Sequence, residues 1–313
     1  MKIIFFGSSH FAVPFLPALL KAGHKVLCVI TQPDKYQGRG LRLAGTEVKD
    51  EAQKHSLLVY QPENINSAES VEFLRKQDAD LFAVVAYGQI LSDAVLTLPK
   101  KLALNIHASL LPKYRGAAPI NWAIINGENA SGVTAMKMAK KMDAGPIILQ
   151  EKVSIDARDT AITLEEKLIT AGIGVLLSTI DLIEGNRHSF TPQDEKAATF
   201  APSLKKENGL INWNKPVNEI DNLVRGCVKW PGTFSYFSGK IIKICSVAIV
   251  ASSLRQKFLP GEIIESSKEG ILVACGSGSL LVKELQPEGR RIMSAADFVS
   301  GYRIKPGQCF GKK

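Results

Sequence analysis

The sequence predicts an α/β fold, a doubly wound and mostly parallel sheet followed by a smaller β-barrel. Three observations carry this prediction. Apolar runs alternate with segments of helical spacing over residues 1–189, the alternation fades over residues 186–207, and five short β-forming runs separated by turn residues follow. At 313 residues the chain suits two domains. The expected division is residues 1–189, a linker over 190–208, and residues 209–313.

Residues 2–6, KIIFF, form a near-continuous apolar run stopped by Gly7-Ser8-Ser9, and residues 11–20 follow with helical spacing. A strand covered by helices on both faces must be apolar on both, so this is the opening of a parallel sheet. The unit repeats, with strands expected at 26–31, 57–60, 81–86 and 102–106, and helices at 46–54, 68–77 and 93–98. Sites in such a Rossmann-like sheet lie beyond the carboxyl ends of its strands. Further strands are expected at 133–138 and 147–155. The longest helix is expected at 163–184, with Leu164, Leu168, Ala171, Val175 and Leu182 in one stripe and Gly185 as its stop.

Thr191-Pro192-Gln193-Asp194-Glu195 and Ala201-Pro202 break the periodicity and mark the linker. Beyond it the spacing predicts a helix at 217–227 and strands at 233–237, 241–250, 261–266, 270–275 and 279–285. Ser238-Gly239 and Gly276-Ser277-Gly278 sit between runs as hairpin turns. Short strands joined in this way suggest an OB-like barrel, a common nucleic-acid-binding form.

Charge is uneven. From Ser203 onward there are 17 Lys/Arg against 9 Asp/Glu, a balance of +8 out of the +9 of the whole chain. An anionic partner would meet this part, although a solvated lysine-rich surface has the same composition. Cys28, Cys227, Cys245, Cys275 and Cys309 are odd in number and widely separated, which argues for a reducing compartment and against both a disulfide framework and a zinc site. The apolar run at residues 3–6 is far too short for a signal peptide, no run reaches membrane-spanning length, and a cytoplasmic protein is expected.

The stretch 102–119, LALNIHASLLPKYRGAAP, holds the candidate active site. Side chains alternate along a strand, so Asn105, His107 and Ser109 share one face at its carboxyl end. An amide donor and an imidazole two residues apart can serve one cluster of substrate atoms. A strand end merely rimmed by polar residues is the alternative. Pro119 is placed to begin a helix. Asp143, in the turn KKMDAGP, is a carboxylate that can be aimed into a cleft, although Asp-x-Gly is also ordinary turn chemistry. Residues 32–49 form a long basic segment carrying Lys35, Arg39, Arg42 and Lys49 and broken by Gly38, Gly40 and Gly45; a mobile loop contacting phosphate or nucleic acid is expected. The first turn, Gly7-Ser8-Ser9-His10-Phe11, lacks the Gly-x-Gly-x-x-Gly of dinucleotide sites, and the chain has no Gly-Lys-Ser/Thr phosphate loop.

Asn105-Ile106-His107, Ser109-Leu110-Leu111-Pro112, Arg115-Gly116-Ala117-Ala118-Pro119 and Asp143-Ala144-Gly145 together resemble the formyltetrahydrofolate-dependent formyltransferases. The likeness covers essentially the whole chain. The basic loop, the region of Trp213 and the basic C-terminal part are similar to the bacterial members that act on tRNA. The resemblance implies transfer of a formyl group from 10-formyltetrahydrofolate, as cosubstrate, to the α-amine of methionine on initiator tRNA, for translation initiation in the cytoplasm. A monomer is expected, with no metal required and no membrane partner. The resemblance casts Asn105, His107 and Asp143 as catalytic and Ser109, Leu110, Leu111 and Pro112 as the folate segment, and it maps the family's glycine-broken loop onto residues 32–49, with Arg42 the closest match to an important arginine. Lys35, Arg39 and Arg42 of this cationic loop are expected to contact the tRNA. Where the family usually has Gly-Leu before the aspartate, this chain has Lys141-Met142.

These roles agree with the chemistry of the residue types. An amine attacking a formyl carbon builds negative charge on the formyl oxygen, which an amide N–H can stabilise. The attacking nitrogen must shed a proton, and an imidazole accepts one near neutral pH. Formyl transfer to a sugar nucleotide, or hydrolysis of the folate, needs the same three residues but no basic barrel. A non-catalytic RNA-binding protein would explain the charge but not the three residues together.

Overall fold

The computed structural model describes residues 1–37, 42–250 and 258–311, with the backbone alone described for Gln37 and Arg42. The chain folds into two compact units. The first comprises Met1–Pro119, Ala130–Ser154 and Glu165–Ala201, and the second Ile120–Asn129, Ile155–Leu164 and Pro202–Lys313.

Up to residue 184 the elements are β1 (Lys2–Gly7), α1 (Phe15–Lys21), β2 (Lys25–Ile30), β3 (Lys35–Gln37), β4 (Arg42–Ala44), α2 (Glu47–Lys54), β5 (Val59–Tyr60), α3 (Ala68–Lys76), β6 (Leu81–Val85), α4 (Asp93–Leu96), β7 (Leu102–His107), α5 (Pro119–Ile125), β8 (Ala130–Lys137), β9 (Ile147–Ser154) and α6 (Ala161–Glu184). Seven strands form one sheet in the order β5-β2-β1-β6-β7-β8-β9. Pairing is parallel from β5 to β7. It turns antiparallel at β8 and β9, whose tight connection leaves no room for a crossover helix.

The sheet is wound in both directions from β1, so the strand order reverses between β1 and β6. Ile4, Phe6, Cys28, Ile30, Phe82 and Val84 form one buried face with Leu74 of α3 and Val95 of α4. On the other face α6 lies close. A Cβ on Gly172 would stand 2.7 Å from the Phe15 ring and 3.7 Å from Ile106, so glycine lets this helix approach the sheet. Because Ile106 faces α6, its neighbours Asn105 and His107 face away from it.

The segment expected to be a loop after β2 contains an antiparallel hairpin, with Lys35, Tyr36 and Gln37 paired to Ala44, Leu43 and Arg42. Tyr36 and Leu43, directly opposite one another, are both exposed. Three-residue strands bordered by glycines carry too little alternation to be read in advance.

The second unit adds α7 (Val217–Gly226), β10 (Thr233–Phe237), β11 (Lys240–Val250), β12 (Ile263–Ser266), β13 (Ile271–Ala274), β14 (Ser279–Pro287), β15 (Met293–Ser294) and α8 (Ala295–Tyr302). Its antiparallel sheet runs β10-β11-β14-β13-β12, with β15 on β14. Residues near the C-terminus close the ring. Cys309 bridges Glu262 next to β12, and Phe310 bridges Phe237 of β10. The β10–β11 turn has Ser238 and Gly239 at φ +49° and +77°, the two left-handed positions a two-residue hairpin of matching twist requires. Trp213 is buried in this core, and its indole N–H donates to Ser235 Oγ at 2.9 Å. The helix α8 is not anticipated by the sequence pattern. It spans eight residues, buries Ala295 and Phe298, and starts at Ser294, whose hydroxyl accepts from the Asp297 N–H.

Candidate active site

All six residues of β7 are buried, and the strand ends at His107 on the same edge as the carboxyl ends of β1 and β6. Asn105 lies opposite Met136, and His107 opposite Thr134. The Asn105 side chain makes no hydrogen bond among the described residues. It is also absent from the sealed, unpartnered polar atoms there, which are Tyr87 Oη, Arg115 Nη1 and His188 Nδ1. Its amide, though largely buried, is therefore not sealed from solvent, and its donors have no partner among the described residues.

The His107 ring is fixed from one side. Its Nε2 lies 3.0 Å from the Tyr114 carbonyl oxygen, which can only accept, so in the neutral ring the proton sits on Nε2 and the lone pair on Nδ1. That Nδ1 faces Asp143 Oδ2 at 3.7 Å. Asp143 Oδ2 accepts from the Gly116 N–H at 2.9 Å, so the carboxylate is anchored by the chain that follows Tyr114.

Asp143 itself has φ +50°, a left-handed conformation uncommon outside glycine, asparagine and aspartate. Two residues later the backbone passes so close to its neighbour that a Cβ on Gly145 would stand 1.8 Å from the Lys137 carbonyl oxygen. Lys141 and Met142 are accommodated ahead of this turn, with the Ala144 N–H donating to the Lys141 carbonyl at 3.3 Å.

The Ser109–Pro112 stretch is a pinned turn with a cis Leu111-Pro112 bond. The Ser109 hydroxyl donates to the Lys113 carbonyl at 2.6 Å, closing the turn. From β8, Thr134 Oγ1 donates to the Ser109 carbonyl at 2.6 Å and accepts from the Leu111 N–H at 3.1 Å. From β9, Gln150 Nε2 donates to the Leu111 carbonyl at 2.9 Å. The Ser109 hydroxyl is thus spent on the turn itself, while Leu110 packs over Gly132.

Asn105, His107 and Asp143 are brought together at one sheet edge, with the Ser109–Pro112 turn beside them. Lys35 stands on the β3–β4 hairpin, its Nζ donating to Gln32 Oε1 at 2.8 Å. Gln32 in turn donates from Nε2 to the Tyr87 carbonyl past the end of β6. Arg42 opens β4, with its backbone alone described, and Arg39 lies outside the described residues.

Several residues here are not identified by the sequence pattern. Thr134 and Gln150 read as ordinary strand residues. Arg115 is buried and paired to Gln193 and Glu195, some eighty positions away, in a stretch whose only sequence signal is broken periodicity. Glu195 is pulled well below the usual carboxylate range, to about 2, by its hydrogen bonds from Arg115 and then Lys141.

Comparison with known proteins gives a consistent answer. Residues 1–180 match the family described as formyl transferase, and residues 203–303 match formyl transferase, C-terminal domain. The methionyl-tRNA formyltransferase of Alkaliphilus oremlandii is 43% identical, with 100% of both chains covered. That of Geotalea uraniireducens is 43% identical over 100% of this chain and 99% of its own. Among solved structures, the sugar 3N-formyl transferase WlaRD, with dTDP and 5-N-formyl-THF, superposes with a TM-score of 0.68 at 20% identity, covering 93% of this chain and 99% of that one. The N-formyltransferase of Helicobacter canadensis gives 0.66 at 22% identity, covering 92% and 99%. With one family match spanning more than half of the chain and relatives 43% identical along its full length, this chain belongs to the formyl transferase family.

Proposed function

We propose that this enzyme transfers the formyl group of 10-formyltetrahydrofolate to the α-amine of methionine carried on initiator tRNA. What carries the reading is the convergence of an uncommitted amide, Asn105, with a tautomer-fixed imidazole, His107, whose open nitrogen faces a carboxylate, Asp143. The full-length relatives named as methionyl-tRNA formyltransferases support the choice of acceptor.

In this reaction the amine nitrogen forms a bond to the formyl carbon, and Asn105 Nδ2 donates to the oxygen on which charge collects. His107 Nδ1 takes the amine's proton, and Asp143 stabilises the imidazolium so formed. The intermediate then collapses with cleavage of the formyl carbon to N10 bond, and the proton passes from His107 to the departing folate nitrogen. Only residues of the chain are needed for these steps, and no metal is invoked. The Ser109–Pro112 turn meets the folate through main chain and Leu110, its serine being committed internally.

Residues 1–189 supply the reacting side chains, residues 190–208 form the connecting segment, of which the part through Ala201 belongs to the first unit, and residues 209–313 add basic surface for tRNA. Lys35, Arg39 and Arg42 contact the acceptor end from the hairpin segment. The reaction belongs to the cytoplasm and is carried out by a monomer. No helix among the described residues is long and apolar enough to cross a membrane.

The test is a formylation assay with methionine-charged initiator tRNA, charged elongator tRNA and a dTDP-linked amino sugar in parallel. Formylmethionine on initiator tRNA, in preference to the other two, is expected. Formylation of the sugar without formylation of tRNA would overturn the reading.

A further inference from the structure

We infer that Gln193 and Arg115 are positioning residues for the reaction, acting through the main chain of Asp143; the inference rests on the proposed role of that aspartate. Gln193 grips the Asp143 turn on both sides. Its Nε2 donates to the Asp143 carbonyl at 2.9 Å and to the Gly145 carbonyl at 2.7 Å. Its Oε1 accepts from Arg115 Nε at 3.0 Å and from Nη2 at 2.8 Å. Rotating the amide by half a turn would set oxygen against carbonyl oxygens and N–H against guanidinium, so the network admits one orientation.

Arg115 is the hub. Its side chain is only 1% exposed, and Nη2 also donates to Glu195 Oε1 at 2.8 Å. The residue after it, Gly116, donates its N–H to the Asp143 carboxylate. The Arg115-Gly116 step thus holds the carboxylate directly, and its main chain by way of Gln193. Lys141, standing where the family usually has glycine, ties the start of the same turn to Glu195 Oε2 at 2.5 Å.

The consequence is geometric. Asp143 occupies a left-handed conformation and faces His107 at 3.7 Å, so a shift of under an ångström in this turn alters how its carboxylate meets the ring. Without the two Gln193 donors, the carbonyls of Asp143 and Gly145 would have to be satisfied by water or by movement of the turn.

Gln193→Glu tests this. The carboxylate still pairs with Arg115, so the hub persists, but it supplies no donor to the two carbonyls. Single-turnover formyl transfer and the KM for each substrate would be measured for Gln193→Glu, Asp143→Asn and the double variant in the full chain. Gln193→Glu is expected to slow transfer roughly ten- to hundred-fold. The KM for tRNA and folate should stay within about two-fold, and the slowing should add nothing in the Asp143→Asn background. Arg115→Lys keeps a charge for Glu195 but loses the fork to Gln193, and should give the same pattern should Gln193→Glu fail to fold. A rate for the single variant near that of the parent enzyme, or losses that multiply in the double variant, would overturn the inference. If Asp143→Asn itself transfers at the parent rate, the catalytic reading of the aspartate fails first, and the inference with it.

Discussion

His107 and Asp143 face each other with ring nitrogen Nδ1 toward carboxylate Oδ2 at 3.7 Å, while the opposite ring nitrogen is held by the Tyr114 carbonyl. The ring is thereby oriented with its lone pair toward the carboxylate side of the site. In the proposed reaction a proton passed to that nitrogen is stabilised by Asp143, which itself is anchored by the Gly116 N–H. His107→Phe removes this acceptor and should slow single-turnover transfer roughly a hundred-fold or more. A folded variant that transfers at the parent rate would contradict this.

The Asn105 amide is the one donor in this group with no protein partner among the described residues. Asn105→Ala should therefore cost about 3 to 4 kcal/mol of barrier, roughly a hundred- to thousand-fold in rate, if it meets the developing oxyanion. Because no internal hydrogen bond is lost, thermal stability should change little. A melting curve beside the kinetic assay separates the two effects.

Gly145 sits where a Cβ would meet the Lys137 carbonyl oxygen. Gly145→Ala should destabilise the first unit by about 1 to 3 kcal/mol, the usual cost of forcing an extra carbon into a closed space. Denaturant titration measures it, and unchanged stability would mean that the turn relaxes freely.

The hairpin segment is basic, with Lys35 on β3 paired to Ala44 and Arg42 opening β4. Lys35→Ala and Arg42→Ala should weaken use of tRNA while leaving folate KM unchanged, and tRNA binding should fall as salt rises. Equal activity of both variants at limiting tRNA would remove the hairpin from the tRNA site.

The Glu195 carboxyl is held below its ordinary value of 4.5, at about 2, by Arg115 and Lys141. A depressed carboxylate pKa means that its contribution to stability is complete above about 4.5 and is lost as the pH falls through about 2. Glu195→Gln should remove that part of the acid dependence between the two values, read from melting temperature against pH.

The parallel sheet is legible in the sequence because β1, β2, β6 and β7, buried over most of their length, are largely apolar runs that end at glycine or a polar turn. Alternation along β7 puts Asn105 and His107 on one face. Asp143 stands out as a carboxylate between apolar strands. The hub of Arg115, Gln193 and Glu195 is not legible. Its members lie far apart in the chain, and a buried arginine looks the same in sequence as an exposed one. The same limit applies to α8, too short for its stripe to register, and to the closing of the barrel by Cys309 and Phe310, which follows only from where the C-terminal residues return.

If Asn105, His107 and Asp143 perform the transfer, replacing each must slow it while both substrates still bind. The most direct measurement is single-turnover formyl transfer at saturating 10-formyltetrahydrofolate and methionyl initiator tRNA for Asn105→Ala, His107→Ala and Asp143→Asn. Losses of roughly a hundred-fold or more for Asn105→Ala and His107→Ala, and a clear loss for Asp143→Asn, with both substrates still bound, are predicted. Near-normal rates in all three folded variants would contradict it and place the chemistry elsewhere on the protein.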